Sequence, residues 1–138
     1  MANTNLKFTP STTGNKDKWT WSAWVKLGKV GADENLFTGY DASNYYTEIQ
    51  IGDTGVINFI NKISGTEYGK LETNRKFRDT SGWYHFVVVW DSGNSTASDR
   101  MRIYVNGVEE TSFATDTNPS INQDSCLPHA TRPLYIGS

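Results

Sequence analysis

An all-β domain of two stacked antiparallel sheets is the fold this sequence predicts, and three observations carry it. Apolar and polar residues alternate with a period of two in almost every segment, as strands with two different faces require. No stretch of ten or more residues shows the 3.6-residue period of a helix. Short breaks rich in Asn, Gly, Ser and Thr punctuate the chain at near-regular intervals, which is turn chemistry. Aromatic residues make up 13% of the 138 residues, which excludes a disordered chain. That length suits one domain over residues 1–138, able to remove roughly two-thirds of its unfolded surface from water.

The elements follow in order. Leu6–Thr9 is a first short strand. In Lys18–Lys26, Trp19, Trp21, Ala23 and Val25 point one way and Thr20, Ser22, Trp24 and Lys26 the other. Asn35–Tyr40 and Tyr45–Ile51 flank a polar turn, and Gly52-Asp53-Thr54-Gly55 reads as a hairpin loop leading to Val56–Lys62. Thr66–Leu71 follows. Tyr84–Asp91 contains Phe86-Val87-Val88-Val89-Trp90, an unbroken apolar run that reads as a central strand buried on both faces. Asp91–Asp99 is a solvated loop. Asn106-Gly107 joins Arg100–Asn106 to Val108–Phe113, because both turn positions tolerate φ > 0. Thr115–Arg132 is a long polar connection, and Leu134–Gly137 is a last strand.

Composition narrows the function. The balance of 13 Lys+Arg against 15 Asp+Glu argues against a nucleic-acid binder, which needs clustered positive charge. No apolar run approaches the roughly 20 residues of a membrane helix, so no membrane partner is expected. The first residues lack the basic and apolar regions of a secretory signal. The one cysteine, Cys126, has no partner within the sequence for a disulfide. Both features suit synthesis in reducing cytoplasm.

Two stretches are specific enough to suggest a family. Lys18–Lys26 (KWTWSAWVK) resembles the early strand of laminin-G-like, concanavalin A-like jelly rolls. Arg78–Asp91 (RDTSGWYHFVVVWD) followed by Asp99–Val108 (DRMRIYVNGV) resembles their centre, and Leu134-Tyr135-Ile136-Gly137 resembles their close. The wording of these segments (RD-x3-WYH, SDR, YVNG) is similar to domains in tail and other virion proteins of tailed, especially aquatic, bacteriophages. The resemblance implies a jelly-roll sandwich, a place in the virion after synthesis in the host cytoplasm, and virion proteins as partners. It also implies one or two further strands beyond Ile136-Gly137. Without them an edge near Leu6–Thr9 and Leu134–Gly137 is left for a neighbouring chain, in a homo-oligomer or an edge-strand contact. Trp83 and Tyr84 are expected to anchor both layers, and Asp79 and Arg100 to pin loops by ion pairs.

Glucan hydrolases share this fold and carry acidic residues at i, i+2 and i+4 of one strand. The nearest match, Glu48-Ile49-Gln50-Ile51-Gly52, offers one carboxylate where a pair is needed, so no enzyme is expected. Cys126-x-x-His129 is half a zinc site without its second half. His85 shares a face with Val87 and Val89 and reads as a packed or sheet-face histidine. No cofactor is expected beyond Ca²⁺, which relatives of this fold bind through loop oxygens. Asp41, Asn44, Asp53 and Asp91 are the turn-located donors of the right hardness, although Asp and Asn also favour turns for backbone reasons. Finally, Tyr40-Asp41-Ala42-Ser43-Asn44-Tyr45-Tyr46 combines aromatic faces with polar side chains, the mixture that holds a sugar. Tyr40, Asp41, Asn44, Tyr45 and Tyr46 are its candidate contacts, with Tyr45 and Tyr46 facing opposite ways. A structural or adhesion module of a virion is therefore expected, with a lectin-like module for host-surface glycan as the alternative.

Overall fold

The structure is a computed structural model that describes residues 5–42 and 44–137, with residues 41 and 42 described through the backbone alone. Eleven strands run through it: β1 Leu6–Phe8, β2 Lys18–Val25, β3 Glu34–Ala42, β4 Tyr45–Ile51, β5 Val56–Ile63, β6 Thr66–Lys76, β7 Tyr84–Asp91, β8 Met101–Val105, β9 Val108–Glu109, β10 Phe113–Thr117 and β11 Leu134–Ile136. They form a 7-stranded sheet in the order β1-β11-β3-β4-β5-β6-β10 and a 4-stranded sheet in the order β2-β7-β8-β9, with every pair antiparallel. The expected all-β, two-sheet jelly-roll sandwich is the fold observed.

Alternation explains the layering. From the larger sheet Ile49, Phe59 and Leu71 point inward, and from the smaller Phe86, Val88, Trp90, Ile103 and Val105; all are essentially fully buried. Phe59 touches both neighbours above it, with ring centroids 5.7 Å from Trp19 and 6.2 Å from Trp90, each edge to face. At one end of the sandwich a different row lies inside. Gly39, Thr47, Asn61 and Gly69 stand in register across β3, β4, β5 and β6. Segment 124–128 packs on this row. The Cys126 backbone N–H donates to Thr47 Oγ1 and to Asn61 Oδ1, both at 3.1 Å.

Several expectations are corrected. The β7 strand is central but buried on one face only: among the described residues no layer covers the outer side of the smaller sheet, so His85, Val87 and Val89 are half-buried beside Ser22, Tyr104 and Arg102. His85 is a sheet-face histidine whose Nε2 lies 2.9 Å from Ser22 Oγ. Trp83 anchors nothing, being 60% exposed; Tyr84 does so instead, against Phe77 and Phe86. Arg100 pins its loops through carbonyls rather than an ion pair, donating to Asn94 and Pro119 at 2.8 and 2.9 Å. Asp79 caps its own turn by accepting from Ser81 N–H and Oγ–H. The segment expected as one strand over Val108–Phe113 divides: β9 completes the hairpin after Asn106 and Gly107, both at positive φ, and β10 crosses to β6 of the other sheet. The last strand is not an edge, because β11 lies between β1 and β3.

Candidate functional site

The outer face of the larger sheet carries the chemistry. Register places Tyr40 opposite Tyr46, and Tyr135, Thr38 and Glu48 in one row across β11, β3 and β4. Asn35, opposite Gln50, lies beyond them. Directly paired residues share a face, so these side chains converge on a shallow depression of about 390 Å³ whose walls include Tyr40, Tyr46 and Tyr135. Asn35, Thr38 and Glu48 line it as well. Cations flank it, with Lys62 Nζ 5.9 Å from the Tyr46 ring and Lys7 Nζ 5.8 Å from the Tyr135 ring.

Two polar atoms here are anomalous. Asn35 Oδ1 and Thr38 Oγ1 are buried and have no hydrogen-bond partner among the described residues. A buried acceptor left unsatisfied costs about 1–3 kcal/mol, and both lie beneath the depression rather than on its surface. Burial pushes the Glu48 carboxyl above its ordinary range, and the charge of Asp33 adds to that. Burial, followed by the charges of Glu48 and Glu67, raises the Tyr46 phenol, which keeps it a neutral hydroxyl.

The Glu48 shift has a defined sign. An acid whose folded value is raised binds more protons when folded than when unfolded, so its stabilising contribution is complete below the unfolded value and is lost as pH rises through the folded one. Glu48→Gln is therefore expected to raise Tm at pH 7. The gain should shrink toward zero as pH falls below the ordinary carboxylate range of about 4.3. Paired thermal melts from pH 3 to 8 check this; a gain independent of pH would contradict it.

Of the five expected sugar contacts, the structure brings Tyr40 and Tyr46 together in this depression. Tyr45 faces the other way, its ring 4.0 Å from the Arg132 guanidinium. Asn44 sits exposed in the turn, where its carbonyl accepts from Gly65 N–H. The side chain of Asp41, like all of Ser43, lies outside the described residues. Asn35, Thr38, Glu48 and Tyr135 were not among the expected contacts. Period two from Tyr46 reaches Glu48, and from Tyr40 reaches Thr38, so that signal was present locally; Tyr135 arrives only by strand pairing across the chain.

The Ca²⁺ candidates are scattered. Asn44 and Asp53 lie beyond opposite ends of β4, a strand about 20 Å long at the usual rise per residue. Asp91 is engaged by Lys18 at 2.8 Å, and the Asp53 backbone N–H donates to Asp33 Oδ1 at 2.9 Å. Among the described residues no group of three His, Cys, Asp or Glu is placed to hold a metal ion. Glu48 is the one carboxylate among the described residues lining the depression.

A two-sheet antiparallel sandwich with an aromatic and polar groove on its outer face defines the class of jelly-roll binding domains. The family described as the concanavalin A-like lectin/glucanases superfamily, laminin G type, matches residues 1–138, and the chain belongs to it. Domains of the laminin G type are typically non-catalytic binding modules. No curated protein matches the sequence.

Proposed function

We propose that this protein is a non-catalytic adhesion module that takes a saccharide chain on the Tyr40–Tyr46 face of its larger sheet. The observation that carries this reading is the convergence of Tyr40, Tyr46 and Tyr135 with Asn35, Thr38 and Glu48 on one depression of the outer face. A sugar offers both things such a surface can use: hydroxyls for its polar side chains, and C–H faces that lie against Tyr. The Glu48 carboxyl supplies one further acceptor when ionised or a donor when protonated. A single carboxylate does not furnish the acid and nucleophile pair of a glycosidase, which supports binding without cleavage. The wording of Arg78–Asp91 and Asp99–Val108 supports a setting in a phage virion, with a host-surface polysaccharide as the ligand.

An array of bacterial surface polysaccharides probed with the protein tests this. Saturable binding is expected, weakened roughly tenfold to a hundredfold by Tyr46→Ala, the effect of losing about 1.4–2.8 kcal/mol of contact. Tyr45→Ala, on the other face, should leave affinity unchanged. No binding to any polysaccharide, or equal losses from both variants, overturns the assignment.

A further inference from the structure

The depression on the outer face owes its shape to one small side chain. Thr38 forms the floor, 9% exposed, and larger groups stand around it. Tyr135 pairs with it from β11 and Glu48 from β4, each about 4.8 Å away at the usual strand spacing. Tyr40 follows it by two residues on β3, with Tyr46 opposite, so both rings stand one row further along the same face. Three phenol rings and one carboxylate thus surround a dip centred on Thr38.

Glu48 is the unusual member of this set. It is half-buried, yet among the described residues it has neither an ion pair nor a side-chain hydrogen bond. A charge drawn partly out of water without a partner is a cost. The lysines of this face do not relieve it. Lys70 is paired with Glu72 at 3.5 Å, while Lys7 and Lys62 lie near the rings of Tyr135 and Tyr46. Acidic neighbours add to the cost. Burial first, and then the charge of Asp33, pushes the Glu48 carboxyl up. Burial first, and then the charges of Glu48 and Glu67, pushes the Tyr46 phenol up.

We propose that the group seated over Thr38 is an ammonium carried by the saccharide, with Glu48 as its counter-ion and Tyr40, Tyr46 and Tyr135 as the walls of its cage. This rests on the saccharide reading above and narrows it to an amino sugar whose nitrogen is free or alkylated rather than acylated. A metal ion fits the same place poorly. Hard cations take several oxygen ligands, whereas one carboxylate stands here among phenol rings, and no group of three His, Cys, Asp or Glu among the described residues is placed to hold a metal. An ammonium bearing C–H groups uses every wall: its charge is drawn to the carboxylate and the ring faces, and its apolar surface lies against the rings. A neutral sugar would hydrogen-bond to Glu48 but leave its charge uncompensated.

Calorimetry of the whole protein with two glucosamine trimers tests this, one N-acetylated and neutral, the other N-trimethylated and permanently charged. At pH 8, well above the ordinary carboxylate range of about 4.3, the charged trimer is expected to bind roughly tenfold more tightly. Glu48→Gln should erase that preference. Lys62 shares the Tyr46 ring with the ligand and repels it, so Lys62→Gln should tighten the charged trimer by about twofold to fivefold. Tetramethylammonium chloride should displace it where sodium chloride of equal ionic strength does not, which separates a cage from general attraction to a chain of net charge -2. Equal affinities for the two trimers, binding of neither, a preference that survives Glu48→Gln, or displacement by sodium chloride to the same extent overturns the ammonium. Neutral polysaccharides bound on the array would then still support the saccharide reading. A trimethyllysine peptide bound as tightly as the charged trimer overturns the proposal from the other side, since the cation would then be read without its sugar.

Discussion

Phe59→Ala is expected to lower folding stability by about 3–5 kcal/mol, the usual cost of deleting a fully buried aromatic side chain. Phe59 is the ring at which three strands of two layers meet, since it rises from β5 against Trp19 of β2 and Trp90 of β7. Each edge-to-face pair adds about 0.5–1.5 kcal/mol beyond area burial, so two are lost with one substitution. Neither tryptophan can follow into the gap: Trp90 is fully enclosed, and Trp19 Nε1 is held at 2.7 Å by Ser125 Oγ. The void persists and its lining loses contacts. Against a total stability of about 5–15 kcal/mol, the variant approaches the limit of folding. Tm should fall by roughly 10–20 °C at the few degrees per kcal/mol expected for this chain length. Denaturant titration measures the loss, and Trp24→Ala, at a site 65% exposed, should cost under about 1 kcal/mol. A Phe59→Ala loss no larger than that of Trp24→Ala would mean that the two sheets are not held together here.

Much of this architecture is legible in the residues. Trp19, Trp21, Ala23 and Val25 alternate with Thr20, Ser22 and Trp24, and the faces separate as the period requires. Asn106-Gly107 makes its hairpin because those two residues accept positive φ. Other features depend on what lies alongside and leave little local trace. Val87 and Val89 are apolar, yet they stand on an outer face, because apolar character in a strand does not reveal whether a second layer covers it. Thr115 and Asp116 read as loop residues, but they pair with Glu72 and Leu71 once β6 offers an edge. The binding face divides in the same way. Tyr40 and Tyr46 stand out within a short aromatic loop, while Asn35 and Tyr135 join them across pairings that local sequence does not encode.

Gly39→Ala is expected to be the most damaging conservative substitution, and the reason is a collision rather than backbone freedom. A Cβ at position 39 would lie 1.7 Å from Leu127 Cδ2 and 2.7 Å from its Cγ, far inside contact distance. Leu127 is almost fully buried and cannot retreat inward past Thr47 and Asn61, so segment 124–128 must lift off the sheet. Lifting it also breaks the Cys126 N–H bonds to Thr47 Oγ1 and Asn61 Oδ1 and takes the Asp124 carbonyl from Asn61 Nδ2, so that Thr47 and Asn61 keep only the bond between them. Losing the burial of one leucine costs about 2–5 kcal/mol, and the variant should approach that range. Leu127→Ala removes every atom of the collision and carries its own cavity cost. In that background the added cost of Gly39→Ala should fall below about 1 kcal/mol, a coupling within the 0.5–3 kcal/mol range typical of residues in contact. A second readout follows from Cys126, which is 1% exposed. Its thiol should react with a soluble reagent many times faster in Gly39→Ala than in the parent, because local opening of this segment exposes it. Equal costs in both backgrounds, together with unchanged thiol reactivity, would show that segment 124–128 does not depend on the missing side chain at position 39.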